Sequence, residues 1–219
     1  MVVNTYAATV TDIQELAPAV LQLTVSFGDQ EFQFEPGQWV NFRFPEGVSR
    51  AYTIASAPER PDALQLCVRV GPGRGGAAIR KLGAGARVSV DGPYGEFLLP
   101  EDHSRPAAFL AGDTGIAPVR SIVLHMLAVR DPRKVTVLYE PDRRHILYAR
   151  DFDPLARSGA IVHESGKIET LIARNRRILG DATLMAAGFD GFLTRVRRAL
   201  EQNGISASSM ISESFGPEV

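Results

Sequence analysis

Apolar and polar positions alternate along the first hundred residues and gather into unbroken apolar runs along the rest, a change of rhythm that divides the chain. In Val20 to Phe27, Gln38 to Phe44 and Leu64 to Val70, apolar side chains recur at alternate positions, the period of strands with one buried face. Met1 to Val10 reads as a first strand. Phe34-Glu35-Pro36-Gly37, Pro45-Glu46-Gly47 and Gly83-Ala84-Gly85 supply the turns. Gly75 to Leu82 is the one stretch of this half that fits a short helix. Short strands punctuated by Gly and Pro predict an antiparallel barrel or sandwich.

After Pro100 the periods lengthen. Ala107 to Ala111 reads as a buried strand, Ile116 to Val129 as a helix and Val135 to Tyr139 as the next strand, which together make a βαβ unit. Ala160 to His163 and Thr183 to Ala187 read as further strands, and Phe192 to Gln202 as an amphipathic helix closed by Asn203-Gly204. This half is expected to be a Rossmann-like α/β domain, a parallel sheet covered by helices. The boundary is expected in the polar stretch Glu101 to Arg105, giving a β-barrel domain over 1–101 and an α/β domain over 102–219.

Composition narrows the function classes. A chain of 219 residues with a formal charge of −1 carries no basic footprint for nucleic acid. Its most apolar stretches fall well short of the roughly 20 residues of a membrane span, and its start lacks the pattern of a signal peptide. The expectation is a cytoplasmic protein with neither membrane insertion nor a nucleic-acid partner. Cys67 is the single cysteine, which excludes a disulfide within the chain and a cluster held by four thiolates. Any one-electron centre is therefore expected on another protein. His103, His125, His145 and His163 lack the short spacings of a metal site, and are read as surface or satisfied structural residues.

Three segments carry candidate chemistry. In Arg50-Ala51-Tyr52-Thr53 a strand sends Arg50 and Tyr52 to one face and Thr53 to the other. Such a strand can grip a phosphate and cover a flavin ring, or simply be a strand with a half-buried tyrosine. Gly71-Pro72-Gly73-Arg74-Gly75-Gly76 leads into the short helix. Glycines before a helix N-terminus suit an anion, and equally a flexible hairpin loop. Gly112-Asp113-Thr114-Gly115-Ile116-Ala117-Pro118 joins a buried strand to a helix, where a dinucleotide pyrophosphate sits in open α/β sheets. Pro118 suits the first helical turn. The complete Gly-x-Gly-x-x-Gly fingerprint is absent.

Taken in order, these segments resemble the ferredoxin–NADP reductase superfamily, which pairs a flavin-binding β-barrel with a Rossmann-type nicotinamide nucleotide domain. Arg50 to Thr53 is similar to the family's Arg-x-Tyr-Ser/Thr motif, Gly92-Pro93-Tyr94-Gly95-Glu96-Phe97 to its Gly-Pro-x-Gly-x-Phe segment, and Gly112 to Pro118 to its Gly-x-Thr-Gly-Ile-Ala-Pro turn. The resemblance implies FAD, ahead of FMN or riboflavin, with NADH or NADPH as hydride donor. Arg50 would hold the flavin phosphate, Tyr52 would stack on the ring and Thr53 would hydrogen-bond near its N5. Ala51, Val68, Gly75, Gly76, Ala77 and Ala78 complete the flavin set. Gly112, Asp113, Thr114, Gly115, Ile116 and Pro118 would hold the nicotinamide nucleotide, with Asp113 shaping the loop. Ser212-Glu213-Ser214-Phe215 is similar to the family's terminal Glu-x-aromatic, and Phe215 would shield the flavin until nicotinamide displaces it. Thr53, Glu213 and Phe215 are the implied catalytic residues.

The chain departs from that pattern in three places. Ala187 stands where many members carry the cysteine of Cys-Gly-Pro, beside the nicotinamide. Ala78 stands where the family has a Ser or Thr after the glycines, and four residues follow Phe215. The first two departures also resemble the NAD(P)H:flavin oxidoreductases of the same superfamily, which release reduced flavin. After the second Rossmann-type strand, Glu140 or Asp142 would accept bonds from an adenosine ribose, whereas Arg143 or Arg144 would pair with a 2′-phosphate. Three activities follow from the resemblance: a reductase passing electrons from NAD(P)H through FAD to a separate protein, a flavin-releasing oxidoreductase, and a non-catalytic flavin relay subunit. A plain binding module without flavin would leave the order of the motifs unexplained.

Overall fold

The structure is a computed structural model that describes residues 4–59, 63–142 and 145–217. They form two compact units, the first comprising Met1–Leu99 with Arg120–Val129 and the second Pro100–Val119 with Arg130–Val219.

The first unit is a closed barrel. Its strands are β1 (Thr5–Ala17), β2 (Val20–Ser26), β3 (Trp39–Arg43), β4 (Ser49–Ile54), β5 (Leu64–Arg69) and β6 (Arg87–Tyr94), arranged in the order β1-β2-β5-β4-β3-β6. Every neighbouring pair is antiparallel. Alternation explains the closure. Val40 and Phe42 of β3, Leu23 and Val25 of β2, and Leu66 and Val68 of β5 are fully buried inside the barrel, each contributing about 1.5–3 kcal/mol through burial. The helix α1 (Arg74–Lys81) caps this core with Ala78 and Ile79.

Three outer positions of the barrel are joined by a buried carboxylate. Asp91 of β6 accepts hydrogen bonds from Thr5 Oγ1 at 2.8 Å, Asn41 Nδ2 at 3.0 Å and Arg43 Nε at 2.7 Å. It thereby ties β6 to both neighbours, β1 and β3.

The second unit is a five-stranded parallel sheet of order β11-β10-β7-β8-β9. Its strands are β7 (Ala107–Gly112), β8 (Val135–Glu140), β9 (Val162–Ser165), β10 (Thr183–Gly188) and β11 (Ile211–Ser214). Every residue of β7 is buried, as expected of a strand covered on both faces. The helices are α2 (Ile116–Ala128), α3 (Ala149–Arg157), α4 (Ile168–Arg174), α5 (Arg176–Asp181) and α6 (Asp190–Gln202). The first turn of α2 counts with this unit, and the remainder of the helix counts with the barrel. The barrel and the helix-covered parallel sheet are the architecture that the two periodicities predict.

Several elements differ from the sequence expectation. The strand expected over Ala160 to His163 starts at Val162, because α3 ends in a turn at Gly159, with φ of 76°, that also takes up Ala160 and Ile161. α3 itself, which carries Pro154, was not expected, nor were α4, α5 or the edge strand β11. His163 is not a satisfied histidine. Its Nε2 is buried without a hydrogen-bond partner beside the Phe152 ring, 5.1 Å away, and burial pulls its pKa down against the opposing charge of Asp153. No helix among the described residues is long and apolar enough to cross a membrane, and none of their His, Cys, Asp and Glu side chains cluster as a metal site.

Burial raises the pKa of Asp91, but its hydrogen bonds from Thr5, Arg43 and Asn41 outweigh that effect and hold the carboxyl below its ordinary value. A carboxylate with a depressed folded-state pKa stabilises the fold above its unfolded pKa, and that contribution is lost as pH falls through the folded value. Asp91→Ala is expected to cost about 2 kcal/mol at pH 7. In urea unfolding, the deficit should shrink as pH falls below the ordinary carboxylate range.

Candidate functional site

Two of the sequence motifs meet in the barrel unit. β4 presents Arg50 and Ala51 exposed, with Tyr52 and Thr53 half-buried. Thr53 stands opposite Trp39 of β3 and Cys67 of β5. Tyr52 packs edge-on to Phe44, with ring centroids 6.4 Å apart, and lies 5.9 Å from Phe42. Burial pushes its phenol up to about 12, against the opposing effect of Arg50, so the ring stays neutral and is held rigidly by its neighbours.

Arg50 reaches the start of α1. A Cβ built on Gly75 would lie 2.7 Å from Arg50 Nε and 3.0 Å from its Cγ, so the arginine stem occupies the space that a side chain at 75 would take. The helix opens at Gly73 with no side-chain cap and no acidic residue in its first turn. Its first backbone N–H groups are therefore left for a ligand or water, and both they and Arg50 favour negative charge. A Cβ on Gly76 would fall 1.8 Å from the Gly71 carbonyl oxygen, so the loop folds directly onto its own helix. Arg80 NH2 donates to that same carbonyl at 3.3 Å. The arrangement suits an anion.

Placement differs among the remaining flavin candidates. Ala77 is exposed, whereas Ala78 belongs to the core. Val68 is fully buried inside the barrel, so its side chain serves packing.

In the second unit the C-terminal strand ends gather the other candidates. From β7 the chain proceeds outward to β8 and β9, then returns to place β10 on the opposite side of β7. The crevice beyond the ends of β7 and β10 is thus the switch point at which open α/β sheets bind ligands. Gly112 ends β7, and Asp113, Thr114 and Gly115 form a single 3-10 turn leading into Ile116 and Pro118 of α2. Asp113 holds a left-handed φ of 52°, which shapes this loop. A Cβ on Gly115 would lie 2.0 Å from the Ala187 carbonyl oxygen, so the turn is seated against the end of β10.

Ala187 is fully buried and pairs with Ala111 on one side and Glu213 on the other. Glu213 is half-buried, and burial raises its carboxyl above the usual range. Phe215 N–H donates to the Gly188 carbonyl at 3.0 Å, and its ring meets Phe189 edge to face at 6.0 Å. Ser214 Oγ donates to Asp190 Oδ1 at 2.5 Å, while Gly216 N–H donates to Ser214 Oγ at 3.0 Å.

Residues 8–98 match the model of the oxidoreductase FAD-binding domain. The chain is 33% identical over 158 residues to ferredoxin–NADP reductase B of Sorangium cellulosum, covering 69% of this chain and 65% of that protein. It is 32% identical over 152 residues to the reductase component of a Pseudomonas phenol 2-monooxygenase, covering 67% of this chain and 42% of that one. The chain thus spans less than two thirds of either relative. The crystal structure of an Amycolatopsis cytochrome P450 reductase superposes with a TM-score of 0.85 at 23% identity, over 98% of this chain and 71% of that one. The two units have the fold of the ferredoxin–NADP reductase superfamily.

Within this superfamily fold, one ribose candidate is already engaged. Both oxygens of Glu140 accept from Arg195 at 2.8 Å, and Oε2 also accepts the Ile168 N–H at 2.6 Å. The glutamate thereby joins the end of β8 to α4 and α6 and keeps one acceptor position on Oε1. Arg143 and Arg144 lie outside the described residues.

Sequence reasoning missed Phe192, the residue that disciplines the superfamily turn. A Cβ on Gly112 would lie 2.5 Å from its ring, and one on Gly188 2.8 Å, so one buried ring demands both glycines. It missed Phe189 as well. The signal was present only as an aromatic following Ala187-Gly188, where the family pattern has proline.

Two outcomes follow. Gly115→Ala forces the turn off the Ala187 carbonyl and is expected to lower stability by about 1–3 kcal/mol in chemical denaturation. Glu213 has a raised folded-state pKa, so its ionisation weakens the fold as pH rises through the ordinary carboxylate value towards the folded one. Glu213→Gln should therefore raise Tm at pH 7 to 8, with the gain vanishing below the carboxylate range.

Proposed function

We propose that this chain is an FAD-dependent NAD(P)H oxidoreductase that passes electrons to a separate redox partner, a ferredoxin, an oxygenase component or a haem protein. Residues 1–101 bind the flavin and 102–219 the nicotinamide nucleotide. The observation that carries the reading is the seat of Arg50 over Gly75 at the uncapped start of α1, which joins two separate sequence motifs into one anion cradle. The relatives support it, one being a ferredoxin–NADP reductase by name and another the reductase component of a monooxygenase.

When bound, flavin supplies the conversion of a two-electron donor into single-electron steps. The chain's residues do the rest. Arg50 and the amides of Gly75 and Gly76 bind phosphate, and Tyr52 offers a ring face fixed by Phe42 and Phe44. Thr53 supplies a hydroxyl on the opposite face of the strand. Gly112 to Pro118 holds the nicotinamide nucleotide at the switch point. Glu213 keeps a carboxyl beside Ala187, and Phe215 is anchored to Gly188 at the same strand ends. Cys67 is the single cysteine and is buried, so a thiolate-bound cluster would have to lie outside these 219 residues. A sole, reduced cysteine suits a cytoplasmic setting.

A second reading, release of reduced flavin as product, is favoured by one observation. Position 78 carries no hydroxyl and sits in the barrel core, so no side chain there retains the pyrophosphate.

Anaerobic titration of the purified protein with NADH and with NADPH, followed by the visible flavin spectrum, tests both readings. The expected result is yellow protein bleached by one donor. Colourless protein whose NAD(P)H oxidation requires added flavin would select the second reading, and no affinity for any flavin would sink both. Arg50→Ala should weaken FAD binding by about tenfold or more, the value of a charge-assisted hydrogen bond.

A further inference from the structure

The strand that carries the flavin motif is weakly paired where it ends. β4 and β5 register only at Thr53 with Cys67 and at Ile54 with Leu66, whereas β5 pairs with β2 along its whole length, from Leu64 to Arg69. Beyond Ile54 the chain runs through Ala55 and Ser56, which are buried at 0% and 2% exposure. Buried carbonyls need donors, and β5 does not supply them here. It offers instead a carbonyl to Ala55 N–H, from Gln65 at 2.7 Å, and an N–H to Ser56 Oγ, from Gln65 at 3.1 Å.

The donors come from α2, in the part that counts with the barrel unit. Arg120, 8% exposed, directs one guanidinium nitrogen at the Ala55 carbonyl at 2.6 Å and at Gln65 Oε1 at 2.9 Å. Ser121, fully buried, donates its hydroxyl to the Ser56 carbonyl at 2.6 Å. Two consecutive side chains thus close two consecutive carbonyls, two and three residues after Thr53. A buried arginine is costly unless its N–H groups are matched, and matched networks of this kind fix one backbone conformation.

We propose that Arg120 and Ser121 are positioning residues for the flavin-binding strand, setting the height and tilt of Thr53 and Tyr52 against the ring through the Ala55 and Ser56 carbonyls. The inference rests on the flavin reading above. It assigns to α2 a task beyond opening at the nucleotide turn: the same helix orients the strand that meets the flavin.

The test compares the wild-type protein with Arg120→Met, Arg120→Lys, Ser121→Ala and, as a control for general destabilisation of the barrel, Asp91→Ala. FAD affinity, the visible circular dichroism of bound flavin, and kcat and KM for NAD(P)H at saturating FAD are measured. Arg120→Met is expected to weaken FAD about tenfold, change the visible dichroism and lower kcat with KM for NAD(P)H unchanged. Arg120→Lys should restore the share carried by the Ala55 and Gln65 contacts, which a single nitrogen makes. Asp91→Ala should lower Tm and leave the dichroism as in the wild type. The proposal is overturned if Arg120→Met binds and reduces flavin like the wild type, or if Asp91→Ala reproduces its effects. Should Arg120→Met fail to fold, Ser121→Ala decides: a changed dichroism with a few-fold weaker FAD supports the proposal, and an unchanged one overturns it. A wild-type protein that binds no flavin would remove the functional reading instead, a result distinct from all of these.

Discussion

The carbonyl oxygen of Ala187 lies where a side chain at position 115 would have to be, and the second unit is organised around that approach. The turn after β7 can close only because Gly115 yields the space, and Gly112 and Gly188 yield it again to the ring of Phe192. With the turn seated, the first residues of α2 begin at the switch point between β7 and β10, and the ends of β10 and β11 bring Ala187 and Glu213 into register, with Phe215 bonded to Gly188. Dense packing accounts for these glycines before any ligand is considered. The same packing sets the ends of β7 and β10 beside a helix start.

Much of this was legible in the chain. Alternation in Val20 to Phe27 and Leu64 to Val70 reports a one-sided barrel wall, and the unbroken Ala107 to Ala111 reports a strand covered on both faces. Such periods are local, so they survive without knowledge of the partner. What local pattern cannot carry is pairing across long separations. Glu140 reads in sequence as a ribose acceptor at a strand end, and the fold also gives it Arg195 and the Ile168 amide, 55 and 28 residues away, as partners on its two oxygens. Val68 was placed by motif position beside the cofactor, and its inward turn in β5 puts it in the core. His163 looked like an ordinary histidine until the fold closed over its Nε2. The short β11 was invisible because Ile211 to Ser214 becomes a strand only by adding to β10.

The two candidate ligand sites differ in kind. The barrel offers charge and backbone amides, with Arg50 laid over an uncapped helix start and a neutral, immobilised tyrosine beside it. The parallel sheet offers shape, with glycines, Ala187 and a half-buried carboxyl whose protonated form is favoured by burial. Charge and free amides suit a phosphate group, and the switch point of a parallel sheet suits a nucleotide.

The donors supplied by Arg120 and Ser121 also bear on how the chain may be divided. A fragment ending at residue 101 would contain every barrel strand and the whole flavin motif. It would nevertheless expose or orphan the Ala55 and Ser56 carbonyls, since the residues that satisfy them come about twenty positions later in the chain. The barrel is continuous in space without being continuous in sequence. Gene fusions, circular permutations and natural recombination that respect the linear boundary would therefore inherit a barrel with an open seam, whereas those that carry α2 along with it would not.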